Sequence, residues 1–177
     1  MTAFVALLRA VNVGGTGKLP MSELKAMCEA AGFARVRTYI ASGNVVFESR
    51  LTEAGVKAEL ERRLADYAGK PVGVAVRTAA EMAEVRDANP FPEAPANRTG
   101  AIFLDQPPPK DAAAKAVGRQ DEEIALGSRE IYVRYGADGM GQSKLRIPAA
   151  KAGTARNMNT VARLAAMAAD LQADEPR

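Results

Sequence analysis

Apolar residues in the first half of the chain follow two spacings, which predict strands and helices in turn. Residues 4–11 are a nearly continuous apolar run, typical of a buried strand. Residues 21–31 carry apolar side chains three and four positions apart, which predicts a helix. Two shorter runs, 35–40 and 44–48, flank the small residues at 41–43 and predict a hairpin.

The next two segments extend this series of elements. Thr52 is a suitable cap for a helix that carries an apolar face and ends at Gly69. Valines alternate with other residues over 72–77, which is the period of a half-buried strand. The order β-α-β-β-α-β is that of the ferredoxin-like fold, in which two helices cover one face of an antiparallel sheet.

The second half repeats this pattern less regularly. Its apolar and Ala-rich segments predict a strand at residues 101–104 and a helix that follows three prolines, from Pro109 to near Gly118. They also predict a hairpin of residues 123–126 with 130–135, and a final helix at 155–171 that Thr154 caps.

The predicted fold class is α+β, in three parts. A ferredoxin-like subdomain spans residues 1–78. A capping box from Thr78 to Glu81 begins a short helix, and a Pro-rich connection follows it to residue 99. A second, smaller α+β subdomain with the C-terminal helix spans residues 100–177.

Composition predicts a cytoplasmic protein. Hydrophobic residues make up 47% and charged residues 25% of the chain, as in proteins that bury a core in water. No apolar run approaches the roughly 20 residues that a membrane helix needs, and no signal peptide is expected from the N-terminal sequence. The single cysteine, Cys28, permits no internal disulfide, and its helical spacing predicts core packing.

The chain has no histidine, which narrows the chemistry it can perform. Ser-His-Asp and Cys-His pairs and His-rich zinc sites are excluded, and no metal site is expected. No paired acid and base stand out among the carboxylates, so whether the protein is an enzyme stays open, and no cofactor is indicated. The net charge of +3 is modest, but residues 1–50 and 140–177 each hold six Lys or Arg against three Asp or Glu.

The segment between the first strand and the first helix is the best candidate binding element. Glycine loops with a neighbouring lysine, here Lys18, bind phosphate or carboxylate groups through backbone N–H groups, and the following helix adds its positive end. A Walker motif is excluded because Asn12 and Leu19 stand where Gly and Ser or Thr are required. Alternatively, Gly14 and Gly15 serve only to let the chain turn.

Two further segments are candidates. Ser42 and Asn44 can present a hydroxyl and an amide, although Asn44 can instead bond backbone groups within the hairpin. The predicted helix start at residues 154–160 places Arg156 beside backbone N–H groups that could bind an anion. The alternative is that its polar side chains are plain caps and solvated surface.

Several segments together resemble a bacterial family that is catalogued only as a domain of unknown function. They are ALLRAVNVGG, KLPMSELKAMCEAAGF, VRTYIASGNVVFES, VRTAAEM, NPFP, SREIYVRY, SKL and TARNMNTVARLAAM. The resemblance spans nearly the whole chain and implies an α+β fold with ferredoxin-like subdomains, but no established activity. Two positions depart from the family pattern: Ala10 stands where Gly is common, and Met158 where an aromatic residue is common.

The sequence therefore predicts a protein that binds an anionic ligand, a nucleotide or nucleic-acid phosphate, at a polar and basic surface. The candidate ligand-binding residues are Arg9, Asn12, Gly14, Gly15, Lys18, Ser42, Asn44, Lys144, Arg156, Asn157 and Asn159. One alternative is an enzyme that uses Lys18 or Lys144 on a small phosphorylated or carboxylated substrate. Another is a structural or dimerising module without a ligand. The sequence makes no prediction of the oligomeric state.

Overall fold

The computed structural model describes residues 1–12 and 17–174 of the chain. The chain divides into two compact units, and each is considered by itself. The first comprises residues 1–83 together with the chain from Leu164 on, and the second comprises Glu84–Arg163.

The first unit contains the predicted β-α-β-β-α-β series. Its elements are β1 (Thr2–Leu8), α1 (Met21–Ala30), β2 (Ala34–Thr38), β3 (Asn44–Ser49), α2 (Glu53–Ala68) and β4 (Val74–Thr78). The strands form one sheet in the order β2-β3-β1-β4, and every neighbouring pair is antiparallel. The predicted α+β fold class and ferredoxin-like topology are confirmed.

The core of this unit lies between the sheet and the two helices. Alternate residues of β1, including Phe4 and Leu8, belong to the same apolar cluster as Leu24 of α1 and Leu60 of α2. Cys28 lies in this cluster and is fully buried, so the prediction that it packs in the core is confirmed. Burial of this apolar face explains why the short helix α1 is stable without a side-chain cap.

Two side-chain caps fix the helix starts that the sequence predicted. The Thr52 hydroxyl accepts a hydrogen bond from the Gly55 N–H at 3.1 Å, and α2 ends at Gly69 with a left-handed φ of 71°. Thr78 and Glu81 form the predicted capping box at the start of α3 (Ala79–Asp87), with N–H···O distances of 2.9 and 3.2 Å.

The second unit contains a sheet with the same strand order as the first. Its strands are β5 (Thr99–Phe103), β6 (Glu123–Leu126), β7 (Glu130–Arg134) and β8 (Thr154–Asn157). The spatial order is β6-β7-β5-β8, so in both sheets the first strand in sequence lies between the third and the fourth. All neighbouring pairs are again antiparallel, and β6 and β7 form the predicted hairpin.

The helix predicted between Pro109 and Gly118 does not form, and residues 110–115 are turns. Only the Lys115 N–H bonds the carbonyl four residues back, whereas Ala112 and Ala116 bond three residues back. Val117 then pairs with Arg146 in an isolated β-bridge. Among residues 110–116 only Ala112 is buried, so the segment has little apolar face to offset the cost of helix nucleation, and the bridge extends its end.

The last helix, α4 (Met158–Ala173), begins later than predicted. Residues 154–157, predicted as its cap and first turn, instead form β8 and pair with β5. Thr154 therefore does not cap the helix. Asn157 does, because its Oδ1 accepts a hydrogen bond from the Thr160 N–H at 3.0 Å.

None of the helices in the described part of the chain is long and apolar enough to span a bilayer.

Candidate functional site

The segment that leaves β1 turns sharply and returns to α1. The Arg9 N–H donates to the Gly73 carbonyl at 2.9 Å, which holds the end of β1 beside the start of β4. Ala10 and Asn12 both have φ of 55°, in the left-handed region. Gly17 also has a positive φ, and a Cβ there would lie 2.9 Å from the Ala10 carbonyl oxygen.

Asn12 braces this loop. Its Nδ2 donates to the carbonyl oxygens of Leu19 at 2.8 Å and Ala41 at 2.7 Å, and its Oδ1 accepts from the Leu19 N–H at 2.8 Å. The side chain thus uses both amide hydrogens and its oxygen on backbone groups. It joins the backbone at residue 12 to that at residue 19 and ties both to the β2–β3 turn.

The β2–β3 turn is built by the same kind of bond. Asn44 is fully buried, and its Nδ2 donates to the Tyr39 carbonyl at 2.9 Å and to the Ser42 hydroxyl at 2.8 Å. Gly43 has φ of 89°, and a Cβ there would lie 2.6 Å from a Val11 methyl and 2.9 Å from the Leu8 Cβ. A larger residue at 43 would therefore push the turn away from the end of β1.

A cleft of about 500 Å³ opens beside this loop. The residues around it come from the end of β1, from Gly17 to Leu19, from the last turns of α2 and from the α2–β4 connection. Its apolar part includes Val11, Leu19, Leu64 and Val72. Ligand pockets in proteins commonly have volumes of about 300–1,000 Å³, so the cleft has room for a small molecule.

The charged lining of the cleft has one sign. Arg9, Lys18 and Lys70 border it, and none of the described residues that line it is an Asp or Glu. All three cations are exposed. Lys70 lies just beyond the α2 C-cap, where its charge offsets the partial negative charge of that helix end.

The sequence prediction missed two residues of this cleft, Tyr67 and Lys70. They follow from topology rather than from a local pattern. Because β4 is antiparallel to β1, with Leu8 opposite Val74, the α2–β4 connection must lie beside the residue that follows β1. Tyr67 is 47% exposed, and its side chain adds an aromatic group to the cleft.

The predicted residues of the first unit separate into two sets. Arg9 and Lys18 line the cleft, whereas Asn12, Ser42 and Asn44 form the hydrogen-bonded support behind the loop. Gly14 and Gly15 lie outside the described residues. Leu19 is the last residue before α1 that lines the cleft. No residue of α1 lines it, so the start of this helix is not part of the cleft.

Arg156 does not lie at a helix start, contrary to the prediction. It lies in β8, is only 8% exposed, and donates from Nη1 to the Thr154 hydroxyl at 2.8 Å and the Ala155 carbonyl at 2.9 Å. Burial lowers the pKa of its guanidinium to about 10, so it stays protonated at neutral pH. The expectation that this side chain is at the surface is wrong, because β8 is a strand of a packed sheet.

The other predicted residues of the second unit have separate surroundings. Asn157 caps α4, and Asn159 is exposed in its first turn. Lys144 is exposed and borders a cleft that Ser143 also lines. The Gln120 N–H and the Ser143 hydroxyl each donate to a carboxylate oxygen of Glu122 at 2.7 Å, and these two bonds hold the pKa of Glu122 below its usual range.

The described residues contain no cluster of three His, Cys, Asp or Glu side chains that could hold a metal ion. The chemistry of the first-unit cleft is therefore that of cations, backbone groups, an aromatic ring and an apolar wall.

Comparison with known proteins agrees with this fold. The conserved bacterial protein SP0830 from Streptococcus pneumoniae has a similar structure, with a TM-score of 0.75 and 22% sequence identity. The alignment covers 94% of this chain and 98% of that protein. No curated protein matches the chain. Residues 1–132 match the family described as "Protein of unknown function (DUF1697)", which is three quarters of the sequence. The chain therefore belongs to the DUF1697 family.

Proposed function

We propose that the first unit binds a small anionic ligand with an aromatic ring, a nucleotide, in the cleft beside the β1–α1 loop. The observation that carries this proposal is the convergence of Arg9, Lys18 and Lys70 on one concave surface whose described lining has no carboxylate. A concave surface bordered by charges of one sign attracts a ligand of the opposite sign.

The supporting structure behind the loop favours a binding role. The loop holds Ala10 at a positive φ, which costs a non-glycine residue about 1 kcal/mol or more. The loop is held in that conformation by three hydrogen bonds, which join the Asn12 side-chain amide to backbone groups of Leu19 and Ala41. A conformation maintained at such a cost fixes the backbone from which the neighbouring Arg9 side chain projects.

The uncharged part of the cleft indicates the rest of the ligand. The exposed ring of Tyr67 and the apolar side chains of Leu64 and Val72 suit a flat, weakly polar group better than a second anion. Stacking of a base on an aromatic side chain contributes about 1–3 kcal/mol. The phosphates would lie toward Arg9 and Lys18, and the base toward Tyr67.

The volume of the cleft, about 500 Å³, favours a mononucleotide over a polynucleotide. Nucleic-acid strands are bound along extended basic grooves that follow several phosphates. Here the three cations surround one concave site.

Calorimetry and thermal shift with ATP, AMP, ribose 5-phosphate, pyrophosphate and a ten-residue oligothymidylate test the proposal. We expect a mononucleotide to bind best. Lys18→Ala and Lys70→Ala should each weaken binding by roughly twofold to fivefold, as expected for loss of an exposed charge worth up to about 1 kcal/mol. Tyr67→Ala should weaken the binding of ATP and AMP but leave the binding of pyrophosphate unchanged. Tyr67→Phe should bind all three compounds as the unaltered protein does.

Lys25→Ala is the matched control, because Lys25 is an exposed lysine of α1 outside the cleft lining. Lys25→Ala changes the net charge by the same amount as Lys18→Ala and should leave the affinity for the nucleotide unchanged. If no compound of the panel binds, or if Lys25→Ala weakens binding as much as Lys18→Ala, the cleft is not the site. Preferential oligothymidylate binding with a steep salt dependence would instead indicate a nucleic-acid surface.

A further inference from the structure

The second unit contains a separate cavity of about 540 Å³. It lies between the sheet, which contributes Ile102, and the segment from Leu145 to Lys151. Ile147 and Val117 extend its apolar wall. None of these residues takes part in the first-unit cleft, so this cavity is independent of the proposed nucleotide site.

Tyr135 is a polar side chain of this cavity that the protein itself does not satisfy. It is only 9% exposed and lines the cavity. Within the described part of the chain, no residue forms a hydrogen bond with its hydroxyl; the one bond at this residue joins its backbone N–H to the Arg98 carbonyl. The hydroxyl itself is not sealed from solvent but opens into the cavity, so a ligand bound there can accept its hydrogen bond.

Desolvation, and secondarily the charge of Glu122, raise the pKa of Tyr135. The phenol therefore keeps its proton at physiological pH and acts as a donor. A matching ligand must bring an acceptor oxygen to this position.

The rim of the cavity is basic. Arg146 and Lys151 line it, and none of its described lining residues is an Asp or Glu. An adjoining cleft of about 500 Å³ shares Val117, Leu145 and Arg146 with it and adds Lys144. The rim of the cavity therefore favours an anion over a cation and its wall is apolar, whereas the Glu122 carboxylate lies beside the adjoining cleft through its bond with Ser143.

The segment that carries Arg146 is firmly attached. The Val117 N–H donates to the Arg146 carbonyl and the Arg146 N–H to the Val117 carbonyl, both at 2.8 Å. The next residue, Gly118, has φ of 72°, and a Cβ there would lie 2.2 Å from the Lys144 carbonyl oxygen. This close approach fixes the backbone on both sides of the cavity mouth.

We propose that the second unit binds an amphipathic carboxylate, a molecule with one carboxylate and an apolar chain or ring. The carboxylate accepts a hydrogen bond from the Tyr135 hydroxyl and pairs with the Arg146 guanidinium. The apolar part covers Ile102, Leu145 and Ile147.

The experiment uses the full chain and sodium decanoate as the probe, with binding followed by calorimetry and by displacement of the fluorescent dye 8-anilinonaphthalene-1-sulfonate. We expect saturable binding of one decanoate. Tyr135→Phe, which removes only the hydroxyl, should weaken it about tenfold or more, the usual value of a hydrogen bond to a charged group. Arg146→Gln should weaken it similarly and abolish the preference for decanoate over 1-decanol.

Lys110→Gln is the charge-matched control, since Lys110 is exposed and outside the cavity lining. It should bind decanoate normally, as should the Lys18→Ala, Lys70→Ala double variant of the first-unit cleft. Absence of saturable binding, equal affinity for 1-decanol, or full affinity in both Tyr135→Phe and Arg146→Gln would overturn the proposal. So would loss of binding in the double variant. Arg146 is exposed, so its variant keeps the test decisive if Tyr135→Phe fails to fold.

Discussion

At the scale of single residues, the backbone around the first-unit cleft uses the left-handed region where the chain must turn most sharply. Asn12 suits this conformation, because Asn is the non-glycine residue that tolerates it best. Ala10 and Ile40 also have a positive φ, although their side chains tolerate this conformation poorly. At the position of Ala10 the φ of 55° would favour glycine, which adopts this conformation without steric cost.

Ile40 is the least suited of these residues, because a β-branched side chain at φ of 49° is a steric outlier. It is also 51% exposed, so little burial is lost on replacing it. We expect Ile40→Asn to raise the free energy of unfolding by about 1 kcal/mol. Urea unfolding measures this. Ile40→Val keeps the branched side chain and should give no gain; equal stabilisation by both changes would rule out relief of backbone strain.

Local residue patterns predicted part of the cleft, and the fold supplied the rest. Lys18 and Arg9 could be found because they adjoin a glycine-containing turn after a strand. Tyr67 and Lys70 come from a segment about fifty residues later, and no local pattern connects them to the loop. Only the antiparallel pairing of β1 with β4 places them there.

At the scale of elements, helix starts were predicted well where the cap and the apolar face agreed. Thr52 and Thr78 are followed directly by helices α2 and α3. Near α4, both Thr154 and Asn157 are good caps by residue type, and a local pattern does not choose between them. The pairing of β8 with β5 determines which residue caps the helix. It holds residues 154–157 in an extended conformation and leaves Asn157 as the cap.

The start of α4 can be tested with two asparagines of the same segment. Asn157→Ala removes the bond to the Thr160 N–H and should lower the free energy of unfolding by about 1 kcal/mol. Asn159→Ala is the control: this side chain is exposed within the first turn, and its change should alter stability by less than about 0.5 kcal/mol. Chemical denaturation of both variants gives the comparison. A larger loss for Asn159→Ala would place the cap elsewhere.

At the scale of the whole molecule, the two units are variations on one strand order. In the first, helices α1 and α2 connect the strands, and their periodicity made the topology predictable from sequence. In the second, turns at 110–115 and short 3₁₀ segments take their place. Such connections have no apolar period, so the sequence revealed β5, β6 and β7 of the second sheet but neither β8 nor the structures between the strands.

The first unit also contains a titratable group that links its stability to pH. Burial is the main cause that raises the pKa of the Cys28 thiol from 9.0 to about 12. Between these values the unfolded chain loses the thiol proton and the folded chain keeps it, so unfolding releases a proton. The stabilising contribution is therefore complete below pH 9 and falls by up to about 1.4 kcal/mol for each pH unit above it.

Cys28→Ala should remove this slope. The variant loses some packing at every pH, but that loss is constant, so the difference in unfolding free energy between it and the unaltered protein should narrow from pH 8.5 to pH 10.5. Other groups that titrate in this range are common to both proteins and cancel. The same burial should protect the native thiol from a disulfide reagent until unfolding exposes it, because only the thiolate reacts. A difference that stays constant with pH, together with rapid labelling of the native protein, would mean that Cys28 is accessible to water and ionises as freely as in the unfolded chain.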